Sequence, residues 1–354
     1  MMPTDLEKIP ATVLTGFLGS GKTTLLSNIV KQANGKRIAV IIHEFGEIDI
    51  DSDLLRGCPL ECQGAMLSSE STDTPGNSIY ELANGCFCCT VKDDFLPLIK
   101  QLVERRGDID HILIETSGLA LPKPLLQAFK WPEIEQNCTV DAVITVVDGP
   151  AVADGRISIN PDQLKQLRLQ DDDPEELLSL QALLEDQLSA ADMVIISKTD
   201  LLKKDQMDSI QKRLRQRVKP KVKILPVKNG DIHCGLIMGL ACASEINIDD
   251  IQNHHHDTQD DFNAVAISLG EVDADKLLLI VSELISSRAI YRVKGFLALT
   301  DDPMRQVFQG VGERIDQYSD RAWRNEEARQ SKLVFIGKDL IAVEIQRMLA
   351  AAET

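Results

Sequence analysis

The stretch ELANGCFCCTVKDD, residues 81–94, sets three thiols within four positions: Cys86, Cys88 and Cys89. Neither the alternation of a strand nor the stripe of a helix brings all three onto one apolar face, so packing does not account for them. Ligation of a divalent metal by thiolates does. A helix expected to begin near Thr90 would turn its positive end toward the thiols and favour their ionised form. Three thiolates with one further ligand make a tetrahedral site for Zn2+, or for Co2+ in the same geometry, with the stability order favouring Zn2+. A closed structural zinc, or a redox thiol cluster in which one cysteine resolves its oxidised neighbour, would use the same residues.

A chemistry able to drive such a site stands earlier in the chain. TGFLGSGKTTLL fits the phosphate-binding pattern G-x-x-x-x-G-K-[ST] from Gly16 to Thr23, after a strand-like run and before a helical one. Gly16, Gly19 and Gly21 let the backbone approach phosphate, so that main-chain N–H groups and the helix start face the anion. Ser20 and Thr24 complete the cradle. Lys22 is placed to reach the β- and γ-phosphates, and the Thr23 hydroxyl to ligate Mg2+.

Two further stretches complete a nucleotide site. DMVIISKTDLL ends an apolar run with Ser197, Lys198, Thr199 and Asp200. The Asp200 carboxylate can accept from guanine N1–H and N2–H2, a pair that adenine lacks, while the Lys198 stem lies along the base. Asp200 could instead cap the helix after it. HILIETSGLALP puts Glu115 at the carboxyl end of a strand, where open α/β sheets present their sites. There it can hold a Mg2+-bound water or orient the attacking one, and Gly118 offers an N–H to the γ-phosphate. Lys22 and Glu115 are thus the expected catalytic groups. No arginine finger is evident, so slow GTP hydrolysis is expected.

Other candidates are weaker. Cys58 and Cys62, in CPLEC, could cap the thiol site or make a second one. His254, His255 and His256 could collect metal or simply occupy a polar linker. Cys138, Cys234 and Cys242 read as buried small hydrophobes, and His111 and His233 as structural.

The elements that must position these residues follow from periodicity. ATVLTGF, RIAVIIH, HILIET, VDAVITVVD, DMVIIS and VKILPV are short, β-branched and continuously apolar, as suits parallel strands buried on both faces. Between them lie amphipathic runs such as residues 22–33, where Leu25, Leu26, Ile29 and Val30 form one stripe. The fold expected is α/β, a P-loop NTPase domain with a mostly parallel, doubly wound sheet over residues 1–248. Residues 58–78 read as a long loop, and 249–261 as a His- and Asp-rich linker. Residues 262–354 suggest a smaller α+β domain, one sheet covered on one side by helices, with MRQVFQGVGERIDQ as a strand-like run within it.

Composition narrows the function classes. The 354 residues carry a formal net charge of −17, which argues against nucleic acid as partner. There is no run of about 18 apolar residues to cross a membrane, and the N-terminus lacks the features of a secretory signal. A cytoplasmic protein is expected. Its eight cysteines are too few for a disulfide scaffold at this length.

With TGFLGSGKTT, HEFGEIDID, ELANGCFCCT, ILIETSGLALPKPL and SKTD in this order, the chain resembles the CobW family of the CobW/HypB/UreG group. The resemblance implies a GTPase that loads a divalent metal through Cys86, Cys88 and Cys89 in its Mg2+–GTP state and releases it on hydrolysis. The run ETSGLALPKPLLQAFKWPEI looks closest to the family's cobalamin-biosynthesis branch rather than to its zinc-handling relatives, and for this branch the resemblance implies Co2+ destined for the cobaltochelatase. It places the switch segment on Glu44, Phe45 and Gly46, with Glu44 on the Mg2+ or metal side. His43 and Ser197 stand where the family usually has asparagine. The assembly implied is a monomer or a nucleotide- or metal-dependent dimer. A zinc chaperone of the same family, a P-loop kinase with a structural zinc, and a metal-storage protein with a regulatory P-loop compete with this reading.

Overall fold

A computed structural model describes residues 8–32, 36–43, 60–62, 77–82, 95–155, 180–238, 262–312, 314–324 and 327–354. By packing, the chain divides into two units, Ile9–His233 and Cys234–Thr354, the latter taking Lys8 with it.

The first unit is built on an eight-stranded sheet. Its strands are β1 (Ile9–Thr15), β2 (Ile38–His43), β3 (Leu60–Cys62), β4 (Asn77–Leu82), β5 (His111–Glu115), β6 (Cys138–Asp148), β7 (Met193–Ser197) and β8 (Lys223–Pro226). They lie in the order β3-β4-β2-β5-β1-β6-β7-β8, and every described pairing is parallel. Parallel neighbours need crossovers, which the helices supply. These are α1 (Lys22–Lys31), α2 (Leu96–Glu104), α3 (Pro122–Ala128), α4 (Pro132–Glu135), α5 (Gly149–Ala153), α6 (Leu180–Ala190) and α7 (Lys204–Arg215).

Both faces of this sheet are covered, which is why its strands read as unbroken apolar runs. Ala11, Val13, Ala39, Ile41, Ile112 and Ile114 join Phe95, Ile99, Leu102, Leu125 and Ile134 in one core. The alternate residues Leu14, Val40, Ile42 and Leu113 are equally buried, as are Leu25, Leu26, Ile29 and Val30 of α1. Strand order reverses about β1, whose carboxyl end therefore opens into the crevice where such sheets bind ligands.

The second unit begins with α8 (Cys234–Met238), whose carbonyls Leu236 and Ile237 accept from Nη1 of the buried Arg292 at 3.3 and 2.7 Å. That anchoring explains why the division falls at residue 233; the expected linker, 249–261, lies outside the described residues. Strands β9 (Phe262–Leu269), β10 (Ile290–Ala298), β11 (Met304–Val311), β12 (Arg314–Ala322) and β13 (Ser331–Lys338) form an antiparallel sheet in the order β12-β11-β10-β13-β9. Helices α9 (Ala274–Ser287) and α10 (Ala342–Leu349) cover one face. Leu277, Val281, Leu284, Ile345 and Leu349 interlock there with Ile267, Val293, Phe308 and Phe335.

Candidate nucleotide site

The phosphate-binding loop is shaped by three glycines in backbone conformations that L side chains rarely adopt. Gly16 has φ 136°, Gly19 71° and Gly21 93°. At Gly16 the constraint is also spatial, because a Cβ would lie 2.1 Å from the Val146 carbonyl oxygen. Gly21 then opens α1, whose N-terminus faces the loop. Lys22 is 6% exposed, and its ammonium is satisfied by the loop itself: Nζ donates to Gly16 O at 2.9 Å and Phe17 O at 3.1 Å. Ser20 is buried and Thr24 exposed.

Thr23 and Glu115 meet from different elements. The Thr23 hydroxyl, on the first turn of α1, donates to Glu115 Oε1 at 2.8 Å at the end of β5. Both residues are buried. A hydroxyl oxygen beside a carboxylate is a hard-oxygen donor set of the kind Mg2+ prefers, so these residues fit the expected ion. The chain then turns through residues 116–120. Thr116 N–H donates to Leu14 O at 2.9 Å, and Ala120 N–H to Ser117 O at 3.0 Å. Gly118 backs directly onto the P-loop, where a Cβ would lie 2.5 Å from Leu18 N.

SKTD is wired to the same loop. The Ser197 hydroxyl lies 2.6 Å from Ser20 O and 3.2 Å from Val147 O, so the serine at this position ties the strand end to the phosphate cradle. Lys198 Nζ donates to Gly19 O and to Asp148 Oδ2, both at 2.7 Å. Its stem is thereby stretched between the P-loop and the end of β6. Asp200 Oδ1 accepts from Asn229 N–H at 3.3 Å, and Asp200 is exposed.

Two contributors escaped the reading of the sequence. Asp148, 4% exposed, uses one carboxylate oxygen for Lys198 and the other to accept from Ala151 N–H at 2.9 Å, capping α5. Its signal was the acid at the end of a buried strand, the same one that drew attention to Glu115. The other is the loop after β8. Asn229 and Gly230 have φ of 51° and 68°, and Asn28 Nδ2 on α1 donates to Asn229 O at 3.1 Å. The Asn-Gly pair after VKILPV marked that turn.

The remaining candidates separate cleanly. Glu44, Cys58, Cys86, Cys88, Cys89, Cys242 and His254–256 lie outside the described residues, as do residues 90–94; α2 begins at Leu96. Cys62 ends β3. Cys138 is buried in the apolar core, and buried His111 bonds the Thr12 hydroxyl at 2.9 Å. Among the described residues no group of three or more His, Cys, Asp or Glu is gathered to hold a metal ion.

A protein of Pseudomonas aeruginosa named zinc chaperone CobW is 45% identical over 353 residues, covering 98% of this chain and 92% of that one. A Sinorhizobium protein of the same name is 43% identical over 341 residues, covering 93% of each. The crystal structure of Zn(II)-bound YjiA GTPase from E. coli aligns with 98% of this chain and all of its own, at 25% identity and a TM-score of 0.42. Residues 10–226 match the CobW/HypB/UreG nucleotide-binding domain, and residues 265–353 the cobalamin synthesis protein cobW C-terminal domain. The chain belongs to the CobW/HypB/UreG family.

Proposed function

We propose that the chain is a GTP-hydrolysing metallochaperone that loads a divalent metal in the Mg2+–GTP state and surrenders it after hydrolysis. One observation carries the nucleotide half: Ser197 and Lys198 are hydrogen-bonded to the carbonyls of Ser20 and Gly19, so the base wall and the phosphate cradle form one assembly. Within it, Asp200 is the exposed carboxylate that accepts from guanine, and Lys198 lies along the base. Adenine lacks the paired donors and so forgoes both hydrogen bonds to Asp200.

Hydrolysis is then a matter of positioning and charge. Lys22 exchanges two loop carbonyls for the β- and γ-phosphates, keeping its buried ammonium satisfied throughout. Thr23 and Glu115 would hold Mg2+, which neutralises the charge gathering on the phosphates. The alternative role for Glu115 is to orient the attacking water, and in either case the Gly118 N–H faces the γ-phosphate.

The metal is cargo, carried by Cys86, Cys88 and Cys89, while Glu44 on the switch segment serves the Mg2+ side. Zinc is the metal supported by the names of relatives 45% and 43% identical. A second reading, Co2+ bound for the cobaltochelatase, is favoured by the cobalamin-synthesis domain matched at residues 265–353. Cytoplasmic residence belongs to either reading, and no described helix is long and apolar enough to cross a membrane.

Titration of the full chain with Zn2+ and Co2+ in Mg2+–GTP and Mg2+–GDP tests this. Tighter binding in GTP is expected, with metal raising GTP affinity by the same factor, as linkage demands. The Cys88→Ala variant should lose the Co2+–thiolate absorption. Metal affinity indifferent to the nucleotide, or a preference for ATP, refutes the proposal.

A further inference from the structure

Helix α6 touches both halves of the phosphate end of the site. Leu183 packs on Phe17 of the P-loop, with Leu18, Leu119 and Leu121 against them. One turn later Gln187 is fully buried, and its Nε2 donates to the carbonyl oxygens of Gly118 and Ala120, each at 3.3 Å. Its own backbone carbonyl accepts from the Thr145 hydroxyl at 2.8 Å, pinning this turn of the helix to β6. Two carbonyls facing one end of the amide settle that this end is nitrogen, because oxygen there would be repelled.

Packing alone does not recommend glutamine here. Oε1 is buried and takes no hydrogen bond from the described residues, a cost that a methionine of similar volume would avoid. What the amide supplies instead is direction. It draws two carbonyls of the turn toward α6, and that turn has no freedom on its other side, where Gly118 abuts Leu18. The Gly118 N–H shares its peptide plane with Ser117 O, which accepts from Ala120 N–H at 3.0 Å, so its direction depends on the turn that Gln187 grips at Gly118 and Ala120.

We propose that Gln187 is a positioning residue for the γ-phosphate: by holding the carbonyls of Gly118 and Ala120 it keeps the 117–120 turn that aims the Gly118 N–H, and so sets how strongly the site distinguishes GTP from GDP. The inference rests on the GTPase reading and adds a residue of α6 to it. Nothing in Gln187 touches nucleotide; it acts through the turn.

Gln187→Met in the full chain keeps the length of the side chain and removes both donors. GDP affinity is expected to stay within about twofold, while GTP affinity and the single-turnover hydrolysis rate each fall about tenfold. A merely structural role would weaken both nucleotides alike, or lower the melting temperature and leave the affinity ratio unchanged; either result overturns the assignment. Gln187→Leu, which likewise removes both donors without burying a charge, gives the same reading should the methionine variant fail to fold. If the parent protein neither prefers GTP to ATP nor hydrolyses it, both inferences fall together. If the parent does and the variants keep its GTP-to-GDP ratio, only the role of Gln187 falls.

Discussion

Lys198 shows how a single residue is held against its own preference. It occupies the left-handed region at φ 56°, which costs a non-glycine residue roughly 1–2 kcal/mol. Its ammonium recovers this through Gly19 O and the buried Asp148 carboxylate. The motif SKTD was legible because its residues are contiguous and end a buried strand. Asp148 and Asn229 were not, since they lie 50 and 29 residues from the partners they position, and chain order says nothing of such pairings. Asp148→Asn keeps an acceptor for the Ala151 N–H and removes the charge under Lys198. Because the loss is at the base and not the phosphates, GTP and GDP affinity should fall together, by about 1–2 kcal/mol, in equilibrium titrations. A fall for GTP alone would mean that Asp148 serves the phosphate end instead.

At the scale of elements, legibility follows burial. Strands β1, β2, β5, β6 and β7 were readable because they are buried on both faces and largely apolar, while the edge strand β8, with only Leu225 buried, was readable from its short VKILPV run. The strand β4, NSIYEL, was not, since polar residues at either end leave no such run, and β3 is three residues long. MRQVFQGVGERIDQ reads as one strand-like stretch, yet it folds as the hairpin of β11 and β12, turning at Gly312 with φ 60°. Periodicity cannot separate two strands when the residues of one, from Arg305 to Val311, are buried on both faces. Packing between elements makes its own prediction at Gly118. Gly118→Ala would put a methyl 2.5 Å from the Leu18 backbone, so the turn and the P-loop cannot both keep their places. Overpacking of this kind costs roughly 1–3 kcal/mol, to be read from denaturant unfolding, with nucleotide binding lost alongside. Unchanged stability with full GTP binding would show that the two loops yield freely.

On the scale of the whole molecule, each unit has its own buried core, and the second also carries an ionic network with Arg305 and Asp320 buried at its centre. Arg305 reaches both carboxylate oxygens of Asp320 through Nε, at 3.1 and 3.0 Å, and its Nη1 lies 3.4 Å from Glu327. Arg321 donates to both oxygens of Glu327 at 2.6 and 2.9 Å. These bonds from Arg321, helped by the Arg324 N–H and the charge of Arg305, bring the Glu327 carboxyl down to about 2 from an ordinary 4.5. A carboxyl with its pKa depressed on folding stabilises the native state fully above 4.5 and loses that contribution as pH falls toward 2. The melting temperature of the full chain should therefore drop through this window, beyond what its other acids cause. In Glu327→Gln the drop should be shallower, with a lower melting temperature at neutral pH because two arginines lose a charged partner. Equal acid slopes in parent and variant would mean that solvent, and not Glu327, balances those arginines.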